Sequence, residues 1–348
     1  MKKMSKRIRQ WIALAMALCM LAVGLAIPAS AAQTSLMEQI QTDKLDDMSA
    51  DALAHAVAWF TTNDPQTLLP VLTNTVDDSA AGQVIAKKYN MESFYLTSFD
   101  GTKIYCNRFR TPNGCKKDGR NHVVILAHGF QVNRLVSIEQ VPIFADNGYD
   151  VITFDQRQSG KSDHTKCTMG YNEAKDMGCI AQWVRKNYGD DTVLGIHGHS
   201  MGAATVMQYS SWDPNLAFMI EDCGYPSCQE LFYEIQQKYL PNINFDTFWK
   251  AAVKYGDVNG VSYDKVRPID SIKALDPEVP TMYIHGENDT FVMTKFVYEL
   301  YNARPGQKKE IYTQPGAGHD QSQMFNPIGY RNAITNFLAK YGLQGNLS

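Results

Sequence analysis

Six short apolar runs recur along the chain: VVILAH (123–128), DVITFD (150–155), TVLGIHG (192–198), LAFMIEDC (216–223), TMYIHG (281–286) and KEIYTQPG (309–316). They are rich in Val and Ile and lack the alternation of a strand with one wet face, so both faces must be covered. Parallel strands joined by crossover helices meet that demand. The intervals between the runs read as helical, which predicts an α/β fold with a mostly parallel central sheet flanked by helices. Ahead of the first run, MESFYLTS and TKIYCNRF flank Asp100-Gly101, a two-residue turn signal, so the sheet is expected to begin with an antiparallel hairpin. At 348 residues and 44% apolar, the chain has enough material for one substantial core.

The third run passes directly into GHSMGAAT. A serine between Gly198 and Gly202, at a junction from strand to helix, is a nucleophile elbow: the backbone turns so sharply that residues two before and two after must be small. The helix that follows directs positive potential toward the site of a developing oxyanion. Ser200 then needs a base, and the base an orienting acid. Among eight histidines, His319 in PGAGHDQS follows the last strand on a glycine-rich loop able to reach over the sheet. His197 and His199 flank the elbow and point away from it, His128 suits the shaping of a loop, and His55, His122, His164 and His285 sit elsewhere along the pattern. For the acid, HGENDTFV offers Glu287 and Asp289, of which Asp289 is preferred, with Asp222 one strand earlier as the substitute. The order Ser200, Asp289, His319 suits this architecture. Two backbone N–H groups complete the set, those of Met201 and, after the run ending at His128, Phe130.

The ends of the chain read differently. MKKMSKRIRQ, an apolar stretch over 11–27, Pro28 and then ASAA have the order of a secretory signal peptide over 1–31, with an uncleaved membrane anchor as the alternative. Its removal takes five of the 33 basic residues and none of the 36 acidic ones, moving the formal charge from −3 to −8 and disfavouring nucleic acid as a partner. Residues 32–90 are expected to form an N-terminal helical extension, and 91–348 the main domain. The interval 225–279, with PSCQELFYEIQQKYL and NFDTFWKAAVKYG, is expected to be a small helical cap at the carboxyl end of the sheet. Export makes disulfides possible among Cys106, Cys115, Cys167, Cys179, Cys223 and Cys228, but the pairing stays open. One pair is disfavoured: in a helix starting near Gly170, Cys179 lies about 13 Å from the start, too far from Cys167.

HGF at 128–130, DQRQSGKS at 155–162, TMGYNEAKDMGCIAQW at 168–183, GHSMG at 198–202, HGENDTFV at 285–292 and GAGHDQS at 316–322 together resemble the α/β-hydrolase superfamily. The resemblance is in particular to bacterial single-domain serine hydrolases related to carboxylesterases, feruloyl-type esterases and the hydrolase domain of acylaminoacyl- and prolyl-type peptidases. The chain departs from the pattern at Gln158 and Ser159, where relatives usually carry glycine or alanine after the arginine. The resemblance implies an α/β-hydrolase fold and acyl transfer to water from a small-molecule ester or amide, with no metal or organic cofactor and no membrane span in the mature chain. An exported carboxylesterase is the leading expectation. A peptidase or aminoacyl amidase, an acyltransferase and a hydrolase fold kept only for binding are the alternatives.

Overall fold

The computed structural model describes residues 80–347 apart from 240, 242, 243 and 259, so the expected signal peptide and most of the expected extension lie outside the described residues. The chain runs α1 (Ala80–Lys88), β1 (Glu92–Thr97), β2 (Lys103–Phe109), β3 (Lys116–Lys117), β4 (Arg120–Ala127), α2 (Val141–Ala145), β5 (Asp150–Phe154), α3 (Tyr171–Tyr188), β6 (Val193–His199) and α4 (Met201–Ser210). It continues with β7 (Leu216–Asp222), α5 (Cys228–Tyr239), α6 (Phe245–Val258), α7 (Pro268–Ala274), β8 (Thr281–Gly286), α8 (Lys295–Ala303), β9 (Lys309–Gln314), α9 (Ser322–Phe325) and α10 (Pro327–Lys340). One sheet has the order β1-β2-β5-β4-β6-β7-β8-β9, with β3 paired to the start of β4. From β5 to β9 neighbouring strands are parallel, and β1 and β2 form the antiparallel edge.

Five of the six apolar runs fold as inner strands because successive side chains enter different layers, whereas KEIYTQPG forms β9, a half-buried strand at the edge of the sheet. In β4, Val123, Ile125 and Ala127 join the layer containing α3, α4, α7 and α8, while Val124 and Leu126 face the layer of α2 and α10. On α10, Tyr330, Ile334, Phe337 and Leu338 recur at helical spacing and are buried against the sheet. Burial of each such apolar side chain contributes about 1.5–3 kcal/mol. A third cluster lies beyond the carboxyl ends of the strands, where Leu231 and Phe232 of α5 and Phe248 and Ala252 of α6 meet Met201 and Ala204 of α4.

Three boundaries differ from expectation. The first hairpin closes through a longer loop: Ser98 N–H donates to Thr102 O at 2.8 Å, and Gly101, at φ +91°, supplies the left-handed residue of that loop. Of the interval 225–279 expected to form a cap, α7 joins the main core, where Ile269 and Ile272 pack beside α4. Periodicity identifies a helix but not the layer it joins. Nor does the chain separate cleanly at residue 90, since Tyr89 is fully buried in the domain and its hydroxyl donates to Asp146 at 2.8 Å. Among the described residues no helix is long and apolar enough to cross a membrane.

Candidate active site

Ser200 lies between the last residue of β6 and the first of α4, with φ +56° and ψ −120°. A Cβ on Gly198 would stand 2.2 Å from Gly202 O, and one on Gly202 would stand 2.2 Å from Ala127 O and 2.6 Å from His128 O. Both contacts are with backbone, which cannot swing aside, so the two glycines are steric requirements of the turn. Ser200 N–H donates to Asp222 O at 2.8 Å, tying the turn to the end of β7. The left-handed conformation at a non-glycine residue is backbone strain that the surrounding structure has to sustain.

Loops after β8 and β9 bring the other groups to the serine. His319 Nε2 lies 2.9 Å from Ser200 Oγ, and His319 Nδ1 lies 2.7 Å from Asp289 Oδ2. Asp289 Oδ1 accepts the N–H groups of Phe291 and Val292 at 2.9 and 3.0 Å, and His285 Nε2 stands 3.2 Å from Oδ2. Burial alone would raise this carboxyl, yet the His319 and His285 imidazoles carry it below the ordinary carboxylate range. An ionised Asp289 accepts from His319 Nδ1–H, which leaves Nε2 as the acceptor for the serine hydroxyl. Phe291 packs edge-on against the His319 ring, with centroids 5.2 Å apart. Asp222 touches neither group and instead accepts the Tyr330 hydroxyl at 2.9 Å.

Met201 opens α4, so its N–H is one of the helix-terminal donors without an intrahelical partner. The loop bearing Phe130 runs against the same turn: a Cβ on Gly129 would lie 3.3 Å from Ser200 Cβ. That loop is braced by His128, whose Nδ1 meets Gly129 O at 2.7 Å and whose Nε2 accepts Gln156 N–H at 2.9 Å. Burial lowers the His128 pKa to about 3, keeping the ring neutral as this bonding requires. His197 meets the Tyr330 hydroxyl at 3.1 Å, and His164 is exposed. Gln158, one of the two departures from the family pattern, takes φ +65° and accepts Cys167 N–H at 2.6 Å. It thereby sets the segment from which Cys167 and Met169 join Met201 in the third cluster.

Sequence reasoning missed Phe291 and His285 as parts of this arrangement. Phe291 lies inside the quoted acid-loop motif, but a motif does not say which way a ring faces. The six cysteines among the described residues are thiols, five of them buried, and Cys115 is pushed up to about 11 by burial. Among the described residues no group of three or more His, Cys, Asp or Glu side chains is arranged to hold a metal ion. A polar cleft of about 580 Å³, lined by Arg108, Arg110, Lys116, Asp150 and Tyr188 among others, contains none of the groups around Ser200.

The family model of the alpha/beta hydrolase fold matches residues 122–217. The uncharacterized protein YqkD of Bacillus subtilis is 26% identical over 226 residues, covering 62% of this chain and 71% of the relative. Monoglyceride lipase of Saccharomyces cerevisiae is 22% identical over 280 residues, covering 66% of this chain and 88% of the relative. Among solved structures, the Pyrococcus furiosus esterase Pf2001 superposes with a TM-score of 0.58 at 20% identity, over 74% of this chain and 94% of the esterase, a likeness of fold. The family match runs from β4 into β7 and so includes the strand and helix on either side of Ser200. The part held in common is the part on which the site is built, and the chain has the α/β-hydrolase fold.

Proposed function

We propose that the protein is a serine hydrolase that cleaves carboxylic esters through an acyl-enzyme. The observation that carries this reading is the unbroken line of hydrogen bonds from Ser200 Oγ through His319 to Asp289. His319 Nε2 takes the hydroxyl proton as Oγ attacks the ester carbonyl, and Asp289 stabilises the imidazolium without itself being protonated. The carbonyl oxygen becomes an oxyanion facing the N–H groups of Met201 and Phe130. As the intermediate collapses, the alkoxide leaves with the proton from His319. Water then repeats the sequence on the acyl-serine, and the free acid departs. Carboxylic esters are favoured over amides by the similarity to a monoglyceride lipase and an esterase. The apolar surroundings supplied by Met169, Met201, Phe130 and Phe291 suit an apolar acyl or alcohol group.

Turnover of p-nitrophenyl acetate, butyrate and octanoate tests the reading, with Ser200→Ala and His319→Ala as controls. Hydrolysis reduced at least about 10³-fold in both variants is expected; hydrolysis that survives in Ser200→Ala would refute it. We further propose export, with the enzyme released after cleavage behind Ala31 or Ala32. Mass spectrometry of the secreted protein should find one of those two N-termini, whereas a chain retained in the membrane with residues 1–31 attached contradicts it.

A further inference from the structure

The two residues that make the Ser200–His319 hydrogen bond each have a neighbour in the chain that reaches toward the other. His199, immediately before Ser200, places Nδ1 3.0 Å from Oδ2 of Asp320, immediately after His319. The elbow and the histidine loop are thus joined by two rungs one residue apart, the second beside the reacting one. His199 is buried, and its other nitrogen lies 3.4 Å from Ser137 Oγ on the 3-10 turn Arg134–Glu139. Gly129 runs beside the ring, since a Cβ added there would stand in ordinary contact with Nδ1 at 3.6 Å. Asp320 holds φ +57°, a left-handed conformation that aspartate tolerates better than most residues. Beneath it, the Gln321 side chain accepts Gly318 N–H at 2.9 Å, closing the loop across His319 and Asp320.

We infer that His199 and Asp320 are positioning residues, whose ion pair holds the histidine loop at the distance where His319 Nε2 can take the Ser200 proton. The inference rests on the serine-hydrolase reading. It assigns these residues no contact with substrate. A loop released by a fraction of an ångström to an ångström weakens proton transfer without altering the apolar walls that bind the ester, so the loss falls on kcat and not on KM. Burial pushes the His199 proton affinity down, but Asp320 and, farther away, Asp222 at the end of β7 carry it above the ordinary histidine value. The ion-paired form of the bond is therefore favoured.

The test compares wild type, Asp320→Asn, His199→Phe and the double variant in the full chain. Asparagine keeps the left-handed backbone and removes the charge; phenylalanine keeps a ring and removes the donor. The readouts are kcat and KM on p-nitrophenyl butyrate, the rate of inactivation by a fluorophosphonate, and Tm. Each single substitution is expected to lower kcat and the inactivation rate about tenfold, with KM within about twofold. The double variant should be no slower than the slower single, because both remove the same bond. Wild-type kcat and inactivation rate in Asp320→Asn, whatever its Tm, would overturn the inference, as would losses that multiply in the double variant. If His199→Phe fails to fold, the half-exposed Asp320 position decides alone. A wild-type protein that neither turns over ester nor reacts with the fluorophosphonate would defeat the serine-hydrolase reading and the positioning role with it; an active wild type with an unaffected Asp320→Asn defeats only the latter.

Discussion

A carboxylate that accepts two backbone N–H groups and faces two imidazoles stays ionised as the pH falls, so Asp289 keeps its charge where an exposed aspartate would lose it. Its folded pKa lies below the unfolded value of about 4, so the stability it contributes is present above that value and is lost as pH falls toward the folded one. Asp289→Asn presents an amide to His319 Nδ1 and disturbs the tautomer. Ester turnover should fall about 10³- to 10⁴-fold with the fold intact by circular dichroism. Asp222 behaves in the opposite way, being raised to about 6 by burial with its Oδ1 lacking a partner. Stability from this group is full below about pH 4, falls by up to about 3 kcal/mol as pH rises to 6, and is flat above that. Urea unfolding of Asp222→Asn across that window should show a smaller decline than wild type; an unchanged slope would contradict the assignment. Ser200, Asp289 and His319 were legible in the sequence because each lies in a small-residue or acid-bearing loop directly after an apolar run. The Tyr330 hydroxyl that occupies Asp222 comes from 108 residues away, and no local pattern announces it.

The elbow is an element whose geometry is set by backbone meeting backbone. Gly202→Ala drives a methyl into Ala127 O and should cost about 3 kcal/mol or more, lowering Tm by roughly 10 °C. In the expected cap, Phe232 of α5 is buried between Phe248, Trp249 and Tyr263, with ring centroids 5.5–6.4 Å apart. Phe232→Ala removes the shared ring of that cluster, at about 3–5 kcal/mol of packing. If the cap covers the ester's apolar part, KM should rise more for the octanoate than for the acetate; equal changes would show that the cap leaves the chain-length preference alone. All of the buried strands were readable, since an apolar run bounded by turn residues has few other uses. The length of the first hairpin loop and the placement of α7 were not. The former depends on where Ser98 and Thr102 pair, and the latter on an apolar face that looks the same whether it covers a site or a sheet.

At the scale of the whole molecule, the sheet does two jobs with one set of strands. Its faces are sealed by α3, α4, α7 and α8 on one side and α2 and α10 on the other. Only the carboxyl ends are left to converge, and the turn after β6, the loop after β8 and the loop after β9 meet there. This is why residues 200, 289 and 319 meet, although they are spread over 119 positions. The third cluster, beneath α5 and α6, was less legible, because Cys167 and Met169 reach it from one segment and Val292 and Phe296 from another more than 120 residues later. The most direct measurement is peptide mapping by mass spectrometry after treatment of the folded protein with a fluorophosphonate. One adduct is expected, on Ser200, absent from Ser200→Ala and slowed in His319→Ala. An adduct that persists in Ser200→Ala, or a folded protein that takes none while a control esterase reacts, would contradict it.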